Sequence, residues 1–93
     1  MVLRLKKLSQ PQRRIILQMR DNNLYLVTNE GSDFKCWLET EDLKRVRIPV
    51  GRRTGEALHK SGWIEIVNEE LTRLRRFHYR LTKKAIDAVD KGE

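Results

Sequence analysis

The hydrophobic period of this chain changes from helical to strand-like at Gly62. Apolar and small residues recur at helical spacing before this glycine, and two short runs rich in β-branched and aromatic residues follow it. A glycine just after a helix ends it without a Cβ penalty, because it adopts the left-handed conformation. The sequence therefore predicts a helix at 50–61 that passes directly into a β-hairpin at 63–81.

The predicted helix at 50–61 is amphipathic. Its apolar stripe follows the helical repeat and consists of Val50, Thr54, Ala57, Leu58 and Ser61. Its opposite side is polar and consists of Arg52, Arg53, Glu56, His59 and Lys60. Gly55 lies inside this helix at a cost of about 1 kcal/mol relative to alanine. This glycine either lets the backbone approach DNA or the first helix closely, or is simply tolerated.

The predicted hairpin has a cationic second arm. Its two strands are Trp63-Ile64-Glu65-Ile66-Val67 and Phe77-His78-Tyr79-Arg80-Leu81. In the second strand, period-two alternation places His78 and Arg80 together on the outer face, at ordinary surface positions. The connection at 68–76 carries Glu69, Glu70, Arg73, Arg75 and Arg76. A basic hairpin directly after an amphipathic helix suits contact with phosphates beside the groove that the helix enters.

The first half of the chain predicts a helix and a second hairpin. Residues 1–7 form a basic N-terminal arm, and a helix begins after Ser9, which Gln12 follows as in a capping box. This helix ends around Arg20, because the next three residues are typical of a turn. Two strand-like runs at 24–28 and 34–38 then flank a polar loop that contains a glycine. The two runs either form this hairpin, or the first is a buried extended segment.

The segment from Thr40 to Pro49 has two interpretations. Thr40 offers a cap, acidic residues follow in the first turn and basic residues in the last, and all of these favour a short helix. Pro49 disfavours helix at the residue before it, so such a helix ends earlier. The segment is either the first helix of a helix-turn-helix or a basic loop that leads into the helix at 50–61.

The segment at 82–91 predicts a C-terminal helix. Thr82 caps it, Gly92 ends it, and Ile86 and Val89 lie on one face. Leucines at positions 3, 5 and 8 add apolar surface near the other end of the chain. Either these residues form the seam of a homodimer, or Ile86 and Val89 pack on the first helix of their own chain.

The formal net charge of +7 is unevenly distributed. Residues 1–20 hold six basic and no acidic side chains, residues 21–42 hold one basic and six acidic, and residues 43–84 hold twelve basic and four acidic. Two cationic blocks around an acidic one suit a domain that presents one face to a polyanion.

Length and composition favour one small domain that spans residues 1–93. The chain is 39% hydrophobic, which supplies one modest core. It has no apolar run long enough to span a membrane and no signal-peptide pattern at its start, so we expect a cytoplasmic protein. The lone Cys36 cannot form an internal disulfide, which agrees with a reducing compartment.

We do not expect an enzyme. One cysteine and two histidines without recognisable spacing do not supply the nucleophile, base and orienting acid that a hydrolase needs. Paired cysteines, a His-x-x-x-His motif and a glycine-rich phosphate loop are all missing from the sequence. We therefore expect no metal, no cofactor and no small-molecule substrate.

Two stretches resemble parts of the winged-helix DNA-binding domains of bacterial and phage regulators. Arg52-Arg53-Thr54-Gly55-Glu56-Ala57-Leu58-His59-Lys60-Ser61-Gly62-Trp63-Ile64 resembles a recognition helix and first wing strand, and Tyr79-Arg80-Leu81-Thr82 resembles a second wing strand entering the last helix. The resemblance covers residues 8–93 and holds at superfamily level. It implies an α+β winged-helix fold and a small transcriptional regulator that binds duplex DNA, sequence-specifically or as an architectural protein.

The resemblance also implies a role for each charged side chain. Arg52 and Arg53 begin the helix and reach base edges, where a guanidinium donates two parallel hydrogen bonds to guanine. Glu56 either accepts a hydrogen bond from cytosine or orients Arg52 through an i,i+4 pair. The residues assigned to phosphates are Lys60, Arg73, Arg75 and Arg76, and Arg80 completes the nucleic-acid-binding set.

The main alternative is a winged-helix adaptor that binds another protein without binding DNA. Its surface is the acidic one formed by Asp33, Glu39, Glu41 and Asp42, with Phe34 and Trp37 nearby. Duplex RNA is a third possibility, because a basic wing can follow its shape. The aromatic residues, however, are not arranged as a platform on which bases stack.

Overall fold

The computed structural model describes residues 3–29, 36–42, 44–67 and 76–92. In chain order the described elements are a short 3-10 helix (Leu5–Lys7), α1 (Gln10–Asn22), β1 (Tyr25–Asn29), β2 (Cys36–Glu39), β3 (Arg45–Val50), α2 (Arg52–Lys60), β4 (Ile64–Ile66), β5 (Arg76–Leu81) and α3 (Lys83–Lys91). They form a small α+β domain with three α-helices and a five-stranded antiparallel sheet, which confirms the predicted class. The predicted loop after β1 and the hairpin tip with Arg73 and Arg75 lie outside the described residues.

The hairpin predicted at 63–81 is part of a larger sheet. β4 pairs antiparallel with β5, as predicted, with Ile66 opposite Tyr79. The other side of β5 pairs with β1, where Tyr79 lies opposite Leu26. The strand order is β3-β2-β1-β5-β4, so β5 is internal and β4 is an edge strand. The predicted pairing of the two earlier strand-like runs is also confirmed, since β1 and β2 are antiparallel neighbours.

The predicted caps of α1 and α3 are present. The Ser9 hydroxyl accepts a hydrogen bond from the Gln12 backbone N–H at 3.3 Å, and the Gln12 side chain accepts one from the Ser9 backbone N–H at 3.0 Å. Asn23, in the left-handed conformation, ends α1 slightly later than predicted. Thr82 caps α3 by accepting from a backbone N–H, and Gly92 ends it with φ of 71°.

Neither interpretation of the segment from Thr40 to Pro49 is correct, because β3 occupies its second half. A turn follows β2, in which the Thr40 hydroxyl accepts a hydrogen bond from the Lys44 backbone N–H at 3.2 Å, and β3 begins at the next residue. Val46, Ile48 and Val50 alternate along β3 and pack against the core. Burial of one side of a strand outweighs the capping and charge pattern that favours a helix. The described chain therefore has no helix between β2 and α2.

The helices pack on one face of the sheet. Leu26 and Leu38 from the sheet, Ile16 from α1 and Leu58 from α2 are fully buried in one apolar cluster, which α3 joins through Ala85. Partly buried apolar residues pack against this cluster, among them Leu3, Leu5, Leu8, Ile86 and Val89. The leucines and the α3 residues thus contact the core of their own chain, as the intramolecular alternative predicted.

Gly55 packs its backbone against the sheet, and not against α1. A Cβ built on this buried residue would lie 3.5 Å from Cys36 Sγ and 3.8 Å from Leu26 Cδ2, which are ordinary van der Waals distances. The site therefore has room for a methyl group, while glycine is a poor helix former.

Gly55→Ala is expected to raise the free energy of unfolding by about 0.5–1 kcal/mol, because alanine has the higher helix propensity and restricts the unfolded chain. Gly62→Ala is the matched control, since Gly62 has φ of 82°. That substitution is expected to destabilise by roughly 1–2 kcal/mol because it forces a Cβ into the left-handed region. Urea unfolding of both variants measures the difference, and a lower midpoint for Gly55→Ala would contradict this packing of the helix on the sheet.

Candidate nucleic-acid interface

The exposed side of α2 carries the charged residues that the amphipathic pattern predicted. Leu58 is fully buried and Gly55 is buried, so these two residues fix the helix on the sheet. The exposed side chains are Arg52, Arg53, Glu56, His59 and Lys60, and together they are called the α2 surface below. The helix is shorter than predicted, because residue 50 belongs to β3 and Gly51 is the N-terminal cap.

Arg52 and Glu56 form the predicted i,i+4 pair. Arg52 Nε donates to Glu56 Oε1 at 3.1 Å, and their side chains remain 61% and 44% exposed. An ion pair this accessible contributes only a few tenths of a kcal/mol. Its main effect is to restrict the direction of the guanidinium, which therefore lies along the helix beside the exposed Arg53.

The N-terminal ends of α1 and α2 lie next to each other. A surface groove between them is lined by Gln10, Pro11, Arg14, Ile15, Gly51 and Thr54. Arg14 is exposed and so adds a cation beside the start of α2. Sequence reasoning counted Arg14 in the first basic block but did not place it here, because its position depends on how two helices pack. The sequence feature that points to Arg14 is the basic block at residues 1–20.

The start of α2 and the start of β5 can be located relative to each other through the strand register. Val50 lies opposite Cys36 on β2, and Cys36 lies opposite Thr28 on β1. Asn29, at the same end of β1, lies opposite Arg76, where β5 begins. The start of α2 and the start of β5 are thus at the same end of the sheet. The positions of Arg73 and Arg75 fall outside the described residues, so their assignment to phosphates stays a prediction.

Arg80 lies apart from the α2 surface. Its Nε donates to Glu65 Oε1 at 3.0 Å, with the two residues opposite each other on neighbouring strands. The preceding residue, Tyr79, points to the helix side of the sheet, where its ring lies 5.0 Å from the ring of His59 on α2. Because side chains alternate along a strand, Arg80 projects from the opposite face. The structure therefore does not bring Arg80 together with the α2 surface.

The prediction that His78 occupies a surface position is wrong. His78 and Trp37 lie on either side of Val27, on the sheet face away from the helices. His78 Nε2 is 3.4 Å from Glu39 Oε1, and the indole Nε1–H of Trp37 donates to Glu39 Oε2. The His78 and Glu39 side chains are only 7% and 4% exposed. Trp37 and Glu39 of β2 and His78 of β5 thus form one buried polar cluster across β1, which is called the Glu39 cluster below.

The Glu39 cluster also alters the acidic surface suggested for an adaptor. Glu39 and Trp37 are buried, so neither side chain is available to a partner protein. Glu41 and Asp42 remain exposed in the turn after β2. Asp33 and Phe34 lie outside the described residues. Two of the six residues that defined that surface are therefore part of the domain interior.

Cys36 is half-buried beneath the start of α2 and is not an activated thiol. Burial raises the pKa of Cys36, and the nearby Glu56 carboxylate raises it further, while Arg52 lowers it. Thiols react as thiolates, so a raised pKa reduces reactivity at neutral pH. Burial also raises the pKa of Tyr79, against a hydrogen bond with Thr28 that lowers it.

Within the described part of the chain, no helix is long and apolar enough to cross a membrane. Over the same residues, no three His, Cys, Asp or Glu side chains are grouped so that they can hold a metal ion. Comparison of the chain with family models, with curated proteins and with solved structures finds no match.

Proposed function

We propose that this protein binds duplex DNA through the α2 surface, as a small winged-helix regulator. The observation that carries the proposal is the position of Arg52 and Arg53 in the first turn of a short helix whose other side is anchored on a sheet. Such a helix end can enter the major groove, which admits an α-helix.

The order of elements supports this assignment. α2 is followed directly by β4 and β5, as a recognition helix is followed by its wing. The resemblance is incomplete before α2, because β2 and β3 occupy the place where a helix-turn-helix has its first helix. The helix nearest the start of α2 is instead α1, whose N-terminal turn lines the same groove through Gln10 and Arg14.

The side chains divide into two kinds of contact. Arg53 is exposed and Arg52 is oriented by Glu56, so both suit bidentate contact with guanine. Lys60 and Arg14 lie at opposite ends of the α2 region and suit contacts with phosphates. Arg80 is not included, because it lies on the other face of the sheet and is paired with Glu65.

The protein-binding alternative has less support. Its acidic surface loses Glu39 and Trp37 to the domain interior, whereas the α2 surface keeps every exposed charge that was predicted for it. Charge distribution along the chain also favours a polyanion as partner.

The proposal is tested by titrating a short fluorescent DNA duplex with protein at several salt concentrations. If four phosphates are contacted, affinity is expected to fall roughly 100-fold between 50 and 200 mM salt, because bound cations release condensed counterions. The slope of log affinity against log salt concentration measures the number of phosphates contacted. Combined Arg14→Ala and Lys60→Ala should reduce this number by about two, and Arg80→Ala should leave it unchanged. A duplex RNA of the same sequence serves as competitor. Absence of binding at low salt, or preference for the RNA, would overturn the proposal.

A further inference from the structure

β4 is an edge strand with an exposed apolar surface. It pairs with β5 on one side only. Ile66 and the next residue, Val67, are 40% and 37% exposed, although most large apolar side chains of the described chain are buried or partly buried. An exposed apolar edge strand is a template for pairing with another strand.

The backbone of β4 presents hydrogen-bonding groups at this edge. The Val67 N–H donates to the His78 carbonyl at 2.8 Å, and the Thr82 N–H donates to the Trp63 carbonyl at 3.0 Å. In an antiparallel pair such bonds involve every second residue, so the groups of Ile64 and Ile66 point away from β5. No hydrogen bond within the described residues reaches them from the open side.

The opposite edge of the sheet has a different sequence. β3 contains Arg45, Arg47 and Pro49, and charge and proline are the features with which edge strands avoid pairing. The corresponding residues of β4 are Ile64, Glu65 and Ile66. Among the described residues, the β4 edge therefore combines exposed apolar side chains with backbone groups that no other strand pairs.

We infer that the β4 edge pairs antiparallel with the β4 edge of a second copy of this chain. A two-fold axis through Glu65 sets Ile64 of each copy opposite Ile66 of the other. This register pairs all the edge-facing N–H and C=O groups of both strands, because Ile64 and Ile66 are the residues that carry them. The two Glu65 side chains then lie side by side, each neutralised by its own Arg80 at 3.0 Å.

The inferred pairing gives a spacing of the two α2 helices that suits DNA, and this part rests on the proposed function. All helices lie on one side of the sheet, so both copies of α2 lie on the same side of the joined sheet. Gly55 lies over β1 and β2, and α2 starts beyond them at the end of β3. With strands about 4.8 Å apart, the two helices are separated by roughly 30–40 Å, close to one turn of DNA.

The contact between the two copies is small. Three-residue strands and two exposed apolar side chains per copy bury much less than the roughly 1,200 Å² of a stable interface. We therefore expect weak association in free solution and much stronger association when DNA holds two copies side by side.

Disulfide trapping tests the pairing without DNA. Glu65→Cys in a Cys36→Ala background places one thiol on the two-fold axis, where directly opposed residues lie about 4.5 Å apart between Cα atoms, within disulfide range. Lys44→Cys, beside the β3 edge, and Asp87→Cys, on the exposed side of α3, are the controls. Under mild oxidation Glu65→Cys is expected to form covalent dimer at least about ten times faster than either control. Equal rates, or faster trapping at Asp87→Cys, would overturn the inference.

DNA with two copies of a selected site tests the consequence. Binding is expected to be cooperative, by about ten-fold or more, when the sites are one turn apart, and independent when they are half a turn further. Ile66→Lys should abolish the cooperativity but retain affinity for a single site. If the wild-type protein does not bind a single site, the proposed function is rejected. If it binds the two spaced sites without cooperativity, only the β4 pairing is rejected.

Discussion

Glu39→Ala is expected to lower the free energy of unfolding by about 3 kcal/mol, well beyond the loss expected for Gly62→Ala. The Glu39 carboxyl group accepts from the Trp37 indole and contacts His78 Nε2, and all three side chains are buried. Its removal takes away the carboxylate that the Trp37 indole and His78 Nε2 contact, on two strands that β1 separates. His78 Nδ1 already lacks a hydrogen-bond partner among the described residues, so the loss of Glu39 also removes the contact at the other ring nitrogen, Nε2.

Glu41→Ala is the matched control for this prediction, because Glu41 is exposed in the following turn. Its effect is expected to stay within about 0.5 kcal/mol. Chemical unfolding followed by the fluorescence of Trp37 and Trp63 measures the free energy of unfolding of both variants. Its dependence on denaturant concentration should be the same in the two variants. If Glu39→Ala and Glu41→Ala unfold at the same denaturant concentration, the Glu39 cluster does not stabilise the sheet.

Arg53→Ala is expected to reduce the preference for a selected DNA site over random sequence by about 1–3 kcal/mol, that is, about 10-fold to 100-fold. The reason is position, since Arg53 is exposed in the first turn of the helix assigned to the major groove. Arg53 is a cleaner choice than Arg52, whose removal would also change Glu56. Site selection followed by titration of each variant measures the preference.

Two further variants separate base contacts from phosphate contacts. Combined Arg73→Ala and Arg75→Ala should weaken binding to selected and random sites alike and flatten the salt dependence. Arg80→Ala should change neither the affinity for DNA nor its salt dependence, because Arg80 is on the sheet face away from α2. If sequence preference depends on Arg73 and Arg75 but not on Arg53, the hairpin and not α2 recognises the bases.

The elements that sequence predicted well are those that depend on short-range interactions. The Ser9 and Gln12 capping box, the Thr82 cap and the glycine after α2 each involve residues within a single turn. The exposed side of α2 was equally accessible to prediction, because helical periodicity identifies the buried stripe without knowledge of what covers it. The predicted Arg52–Glu56 pair belongs to the same category.

The errors arose where distant segments meet. His78 alternates with apolar residues, a pattern typical of a surface strand, and its burial follows from β5 lying inside the sheet beside β1. The same register brings Glu39 and Trp37 to it from β2. At β3, the alternation of Val46, Ile48 and Val50 was a usable strand signal, but the cap and charges of the preceding residues favoured a helix. Arg14 could be assigned to the site only after α1 and α2 were packed together.

The central strand β1 and its neighbour β5 come from opposite halves of the chain. β1, β2 and β3 pair with sequence neighbours, but they join β4 only when β5 inserts between them. Such distant pairing slows folding, because loop entropy is lost before the contact forms. During synthesis only β1, β2 and β3 can pair with one another until β5 emerges. The unpaired edge of β1 is meanwhile a site where nascent chains can pair wrongly with one another.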